Sequence, residues 1–159
     1  MAAPLRGTTG SSVYFITAST FQRRAIFSNG PTARLFIEVL FHYRDKKNYL
    51  LHAFVLMPDH FHLLLSPTLS LERSLQLIKG GFSYRAKRER GHSGEIWQSS
   101  YYDRRVRSIE DYGNFKYYIC RNPVKRGVAA TPEEYPYSSA CPGFVLDEIP
   151  ERLRVTLTA

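Results

Sequence analysis

The stretch Tyr49-Leu50-Leu51-His52-Ala53-Phe54-Val55-Leu56-Met57-Pro58-Asp59-His60-Phe61-His62-Leu63-Leu64-Leu65-Ser66 decides the fold. Two apolar runs, Tyr49 to Met57 and Phe61 to Ser66, flank a Pro-Asp pair with the chemistry of a hairpin connection or tight bend. Two neighbouring strands are predicted. Residues i and i+2 of a strand point to one face, so His60 and His62 project together while Phe61 faces away. Two imidazoles side by side can share a metal. They can equally be hydrogen-bonded to polar neighbours, and the pattern alone leaves both readings open.

Outward from this hairpin, Val13 to Phe21 is rich in β-branched and aromatic residues and reads as a first strand. Ser28-Asn29-Gly30-Pro31 is turn and helix-start chemistry, after which Phe36, Val39, Leu40 and Tyr43 recur at helical spacing until Lys46-Lys47-Asn48. Ser70 caps a second helix whose core stripe is Leu71, Leu75, Ile78, Phe82 and Ala86. Gly80-Gly81 falls inside it, so either the helix breaks there or something approaches closely. Ile96 to Val106 reads as a fourth strand, and Ser108-x-x-Asp111 opens a further helix that Pro123 is expected to stop. The order is β-α-β-β-α-β plus a C-terminal helix. That is a ferredoxin-like α+β sandwich with an antiparallel sheet and helices on one face.

A length of 159 residues is one domain, and 43% hydrophobic residues supply enough apolar material for its core. We divide the chain into a leader over 1–12, expected to be flexible, a main unit over 13–127 and a Pro-rich tail over 128–159 packing on that unit. Two cysteines, Cys120 and Cys141, exclude a disulfide scaffold and a CxxC zinc site, and fit a reducing compartment. No apolar run approaches the roughly 20 residues of a membrane span. The formal charge is +8, and +5 of it lies between Lys79 and Arg107. Such a patch fits a polyanionic partner or a solvated helix face. Lys79, Ser83, Lys87 and Arg90 form a row of donors able to track a phosphate backbone.

In the last helix Tyr112, Phe115 and Ile119 form the inward stripe. Tyr118 and Asn122, spaced i, i+4, share a face with Asp111 and Asn114, which puts the Tyr118 hydroxyl within reach of solvent or a ligand. Tyr117, about a hundred degrees round the helix, is the expected packing residue.

Three groups of residues together resemble the HUH single-tyrosine transposases, closest to the REP-associated branch. They are Met57 to Leu65, then Ile96-Trp97-Gln98 with Tyr101 to Arg104, then Tyr118-Ile119-Cys120-Arg121-Asn122-Pro123-Val124-Lys125-Arg126-Gly127. The likeness covers roughly residues 13 to 140, including Tyr135 to Ser139. It implies that His60, His62 and Asn122 are metal ligands and Tyr118 the nucleophile. It also implies a substrate in which a short palindromic DNA hairpin is flanked by a tetranucleotide, a monomer or homodimer, and a cytoplasmic, nucleoid-associated setting in bacteria. Asp59 departs from the family, where many relatives carry Asn, and alters the charge beside the ligand pair.

The implied chemistry is physically coherent. A metal that polarises a phosphodiester oxygen offsets charge building in the transition state. A phenol with a pKa of about 10 needs such help to act as a nucleophile. Two His and one Asn suit Mg²⁺ or Mn²⁺, although imidazole also suits Zn²⁺ and nickel. Arg85, Lys87, Arg88, Arg104, Arg105 and Arg107, with Lys79, are the expected phosphate contacts, and Trp97, Tyr101 and Tyr102 the expected stacking surfaces for unpaired bases. Gln22, Arg23 and Arg24 are placed to read a base edge. A catalytically silent hairpin-binding domain is the alternative.

Overall fold

The computed structural model describes residues 12–158. Of the expected leader over 1–12, residues 1–11 lie outside them, while Ser12 is buried. The elements run β1 (Val13–Ser19), α1 (Gly30–Asp45), β2 (Tyr49–Met57), β3 (His60–Pro67), α2 (Leu71–Arg90), β4 (Tyr102–Val106), α3 (Ile109–Lys125) and α4 (Glu151–Thr158). The four strands stand in the order β2-β3-β1-β4 and every pair is antiparallel. This is the α+β ferredoxin-like architecture.

Strand β3 is buried along its whole length because both of its faces are covered. Phe61, Leu63 and Leu65 enter a core with Phe36 and Leu40 of α1 and Leu75, Ile78 and Phe82 of α2. Leu64, on the opposite face, joins Phe15, Val55, Tyr112 and Ile119 in a second core beneath α3. The expectation of helices on one face therefore holds for α1 and α2 only. The amphipathic stripe of α3 needs an apolar partner, and the α1–α2 face is already filled.

The caps follow the side-chain chemistry. Asn29 accepts the Thr32 amide, Ser70 the Arg73 amide and Ser108 the Asp111 amide, each satisfying one orphan donor of a helix start. Gly91, in the left-handed region at φ 72°, ends α2. Helix α2 passes Gly80-Gly81 unbroken. A Cβ on Gly81 would stand 2.9 Å from Cε2 of Tyr43, so close approach of α1 explains that glycine.

The ends of β1 and α3, the start of β4 and the phase of β2 differ from expectation. β1 stops at Ser19, because Phe21–Arg23 form a 3-10 turn in which Gln22 and Arg23 both have positive φ, 56° and 55°. β4 begins at Tyr102 rather than Ile96, since Trp97 turns into the α1–α2 core and its segment stays tied to the end of β1 (Gln98 N to Ser19 O, 3.0 Å). α3 runs through Pro123 to Lys125. The proline removes one amide donor, but its ring is buried and Arg126 N still donates to Asn122 O at 3.0 Å. Finally, β2 carries a bulge between Leu51 and Ala53 that leaves His52 as the extra residue, so the strand's alternation changes phase there.

The segment after α3 lies along the free edge of β2. Leu56 N donates to Tyr137 O, Ser139 N to Phe54 O and Asp147 N to Leu51 O. The Asp147 carboxylate accepts the Leu51 amide and two Arg44 nitrogens at 2.8–3.0 Å. Backbone groups of an edge strand are thereby satisfied.

Candidate active site

Strand register builds the site. His60 and His62 lie on the α3 face of β3, their ring centroids 4.9 Å apart and nearly perpendicular. Thr17 is the Cα partner of His62 across the β1–β3 ladder, and its Oγ1 lies 2.8 Å from His62 Nδ1. Phe15, two residues earlier, stacks on the His62 ring at 5.3 Å. Asp59, the turn residue directly before it, holds His60, with Oδ1 2.7 Å from His60 Nδ1. Its Oδ2 accepts from Arg23 Nε at 3.0 Å.

Helix α3 brings the phenol. The Tyr118 ring meets His62 edge-on with centroids 5.2 Å apart, and meets Phe15 at 5.9 Å. Asn122, one turn further, is buried. Among the described residues, two buried side-chain atoms have no hydrogen-bond partner: His62 Nε2 and Asn122 Oδ1. Leaving such atoms unpaired is costly, so their coincidence with two of the three expected ligands is informative. Beside them opens a cavity of about 520 Å³ whose lining includes Arg23, His60, His62, Tyr102, Tyr118 and Arg126.

Electrostatics favour neutral imidazoles. Burial, then His60 and Arg126, pushes the His62 pKa down to about 3. Burial lowers that of His60 against the pull of Asp59. For Asp59, burial would raise the pKa, but the His60 and Arg23 hydrogen bonds outweigh it and hold the carboxyl below its usual value. An Asp59 carboxylate requires His60 Nδ1 to donate, which leaves His60 Nε2 with a free lone pair.

The other expected contacts divide by face. Arg23 lines the pocket, as do Tyr102 and Asn114, and Arg104 Nη1 reaches the Tyr102 hydroxyl at 3.2 Å. Gln22 and Arg24 are exposed beside Arg23, and Arg24 bonds the Glu95 carbonyl. Arg105 lines a separate hollow with Tyr14 and Leu71, and Arg107 is exposed just past β4. Lys79, Arg85, Lys87 and Arg88 belong to α2, on the opposite side of the sheet from the histidines. Lys79 is half-buried and donates to Gln98 O at 3.0 Å, with Tyr101 6.0 Å away. Arg85 is engaged by Glu38 and Glu89.

Two expectations are corrected. Trp97 offers no face for a base: its ring packs among Phe27, Phe36, Phe61 and Phe82, and Nε1 donates to Lys79 O. Tyr117 does not pack inward but is 67% exposed, because the β-sheet face is met by Phe115 and Ile119 instead. Thr17 and Arg126 were not singled out from sequence. Nothing in a lone strand threonine marks it without the β1–β3 register, and Arg126 is one cation among many until α3 is docked.

Comparison with known proteins agrees with this geometry. The sequence pattern of the transposase IS200-like family matches residues 9–122. A curated protein of Haemophilus influenzae, assigned by name as a REP-associated tyrosine transposase, is 29% identical over 99 residues, covering 55% of this chain and 56% of its own. The chain thus spans little more than half the length of that relative. The solved structure of a REP-associated tyrosine transposase bound to a REP hairpin superposes with a TM-score of 0.71 at 19% identity, over 94% of this chain and 96% of its own. A Deinococcus radiodurans protein assigned as a transposase gives 0.53 at 22%, over 74% and 95%. The superpositions speak for the fold, and the sequence pattern, which spans the paired histidines, Tyr118 and Asn122, speaks for kinship: the chain belongs to the transposase IS200-like family.

Proposed function

We propose that the chain is a metal-dependent single-stranded DNA endonuclease and strand transferase that acts on palindromic hairpin DNA through a 5′-phosphotyrosine at Tyr118. The observation that carries this reading is the Tyr118 phenol, edge-on to His62 at 5.2 Å, beside two buried polar atoms without partners. His60 Nε2, His62 Nε2 and Asn122 Oδ1 are the donors that would hold a divalent cation, Mg²⁺ or Mn²⁺. When bound, that ion polarises a phosphodiester oxygen and offsets developing charge.

The chain's own residues do the rest. Thr17 accepts from His62 Nδ1 and Asp59 from His60 Nδ1, which leaves both Nε2 lone pairs directed away from those anchors. Arg23 and Arg126, both lining the pocket, supply positive charge for the scissile phosphate. Tyr118 is 38% exposed, so its phenolic proton passes to water. The Tyr118 oxygen forms a bond to phosphorus as the P–O3′ bond breaks, and the departing 3′ oxygen takes up a proton. A second 3′-hydroxyl reverses the attack, releasing the phenol and rejoining DNA without an external energy source. A hairpin is the substrate of choice because the solved relative of the same fold carries one.

The test is incubation of labelled hairpin oligonucleotides with Mn²⁺. Wild type is expected to cut and to form a protein–DNA adduct resistant to denaturant, and Tyr118→Phe to do neither. Identical behaviour of the two proteins rejects the nucleophile and leaves a silent binding domain. Cutting without an adduct indicates direct attack by water.

A further inference from the structure

The pocket at Tyr118 continues beyond Tyr102. Thr17 and Tyr102 also wall a hollow of about 260 Å³ that reaches Ser100 and Tyr101. Tyr101 in turn walls a hollow of about 310 Å³ whose other side is Gln76 and Gly80 of α2. Gln76 and Gly80 belong as well to a groove of about 510 Å³ between α1 and α2, lined further on by Tyr84 and Arg88. Each hollow shares residues with the next. The hollows thus follow one another from the catalytic pocket, around the β4 edge of the sheet, onto the helical face, and we take this succession as one furrow.

Its far end has the makings of a nucleic-acid track. Arg73, Gln76, Gly80, Tyr84 and Arg88 follow at spacings of three or four and share one face of α2. At 1.5 Å per residue that row is roughly 22 Å long. The Arg88 guanidinium lies 5.2 Å over the Tyr84 ring, which is 63% exposed, and Arg73 is bonded to Gln76 at 2.7 Å. Glu72 is the acid of the middle hollow, and Glu38 and Glu89 engage Arg85 at 3.2 and 2.8 Å, while Arg88 meets Glu89 only at 3.8 Å and is exposed, so Arg73 and Arg88 are the cations best placed for a ligand. Gly80 sits at the saddle. A Cβ there would meet nothing within 4 Å, so packing does not explain a glycine that weakens a helix interior, whereas Gly81 next to it is needed by Tyr43.

We propose that this furrow holds unpaired DNA continuous with the strand at Tyr118: phosphates against Arg73 and Arg88, a base on Tyr84, the backbone passing over bare Gly80. Positive groove and exposed ring are the pairing that single strands require. The proposal rests on the DNA-cleaving reading and extends it to the opposite face of the sheet.

The experiment measures binding of hairpins that differ only in an unpaired extension, about two or about 15 nucleotides long, on either side of the stem. All proteins carry Tyr118→Phe so that no strand is cut. The long extension is expected to tighten binding about tenfold. Gly80→Leu, and separately Arg73→Ala with Tyr84→Ala, are expected to abolish that gain. Gly80→Leu should also raise Tm, since it fills open space and removes a helix-interior glycine, so lost binding cannot be lost folding. No gain in the parent protein, or a gain retained by both variants, overturns the furrow. Failure of every hairpin to bind, whatever its extension, overturns the DNA reading itself.

Discussion

His60 Nδ1 and Asp59 Oδ1 stand 2.7 Å apart between consecutive residues at the end of the hairpin turn, and the same carboxylate reaches Arg23 with its other oxygen at 3.0 Å. Arg23 and its neighbour Gln22 adopt left-handed backbone to make this reach, an arrangement costly for residues with side chains. The strained turn thus places a cation against the carboxylate that stands beside the first ligand of the proposed metal site.

Removing that support is expected to loosen metal binding without touching a ligand. Asp59→Ala should weaken Mn²⁺ affinity about 10–100-fold, as outer-sphere partners of ligating histidines typically do. Asp59→Asn keeps an acceptor for His60 and should lose less. Calorimetric titration of the DNA-free protein with Mn²⁺ reads both, and equal affinities for all three proteins would refute the role.

Thr17→Val deletes the hydroxyl opposite His62 Nδ1 and takes that partner from a buried ring nitrogen. The expected cost is about 1–3 kcal/mol of folding stability in metal-free protein. Urea unfolding in the presence of chelator measures it.

Acid sensitivity should originate in buried histidines. His52 Nδ1 lies 3.0 Å from the Asp147 carbonyl and therefore donates, so Nε2 accepts from Ser66 Oγ at 2.8 Å and the ring is neutral. Burial holds its pKa below the ordinary 6.5. As pH falls through about 6.5, the unfolded chain takes up a proton that the folded chain excludes, and stability declines. His62, pushed down to about 3, and His60 act in the same direction. Without metal, unfolding free energy should therefore drop between pH 7 and pH 5, by up to about 1.4 kcal/mol per pH unit for each histidine. Replacing His52 by Asn should flatten the urea-midpoint profile over that range.

The paired glycines of α2 offer an internal control. Both substitutions to alanine gain about the same helix propensity, roughly 1 kcal/mol. Gly80→Ala meets open space and should stabilise, whereas Gly81→Ala drives a methyl to 2.9 Å from Tyr43 and 3.2 Å from Val39. The second variant is expected to be less stable than the first by about 1–3 kcal/mol, read from their urea midpoints.

The amino-acid order by itself determined the succession of the four strands with α1 to α3, the helix start at Asn29-Gly30-Pro31, the caps at Ser70 and Ser108, and the common face of His60 and His62. These are local: strand alternation, helical period and side-chain capping act over a few residues. The same locality explains the misplaced boundaries. Trp97 has the propensity of a strand residue, but the α1–α2 core buries its indole. Pro123 normally ends a helix, yet its buried ring and the surviving Arg126–Asn122 bond carry α3 past it. His52 shifts the phase of β2 by a bulge that no periodicity reveals. What only the tertiary structure decided is which distant groups meet. Docking of α3 on the second sheet face puts the Tyr118 ring against His62, and the β1–β3 register puts Thr17 there too. The physical reason is that docking and register are set by apolar surfaces far apart in the chain, which become neighbours only when the whole sheet is covered.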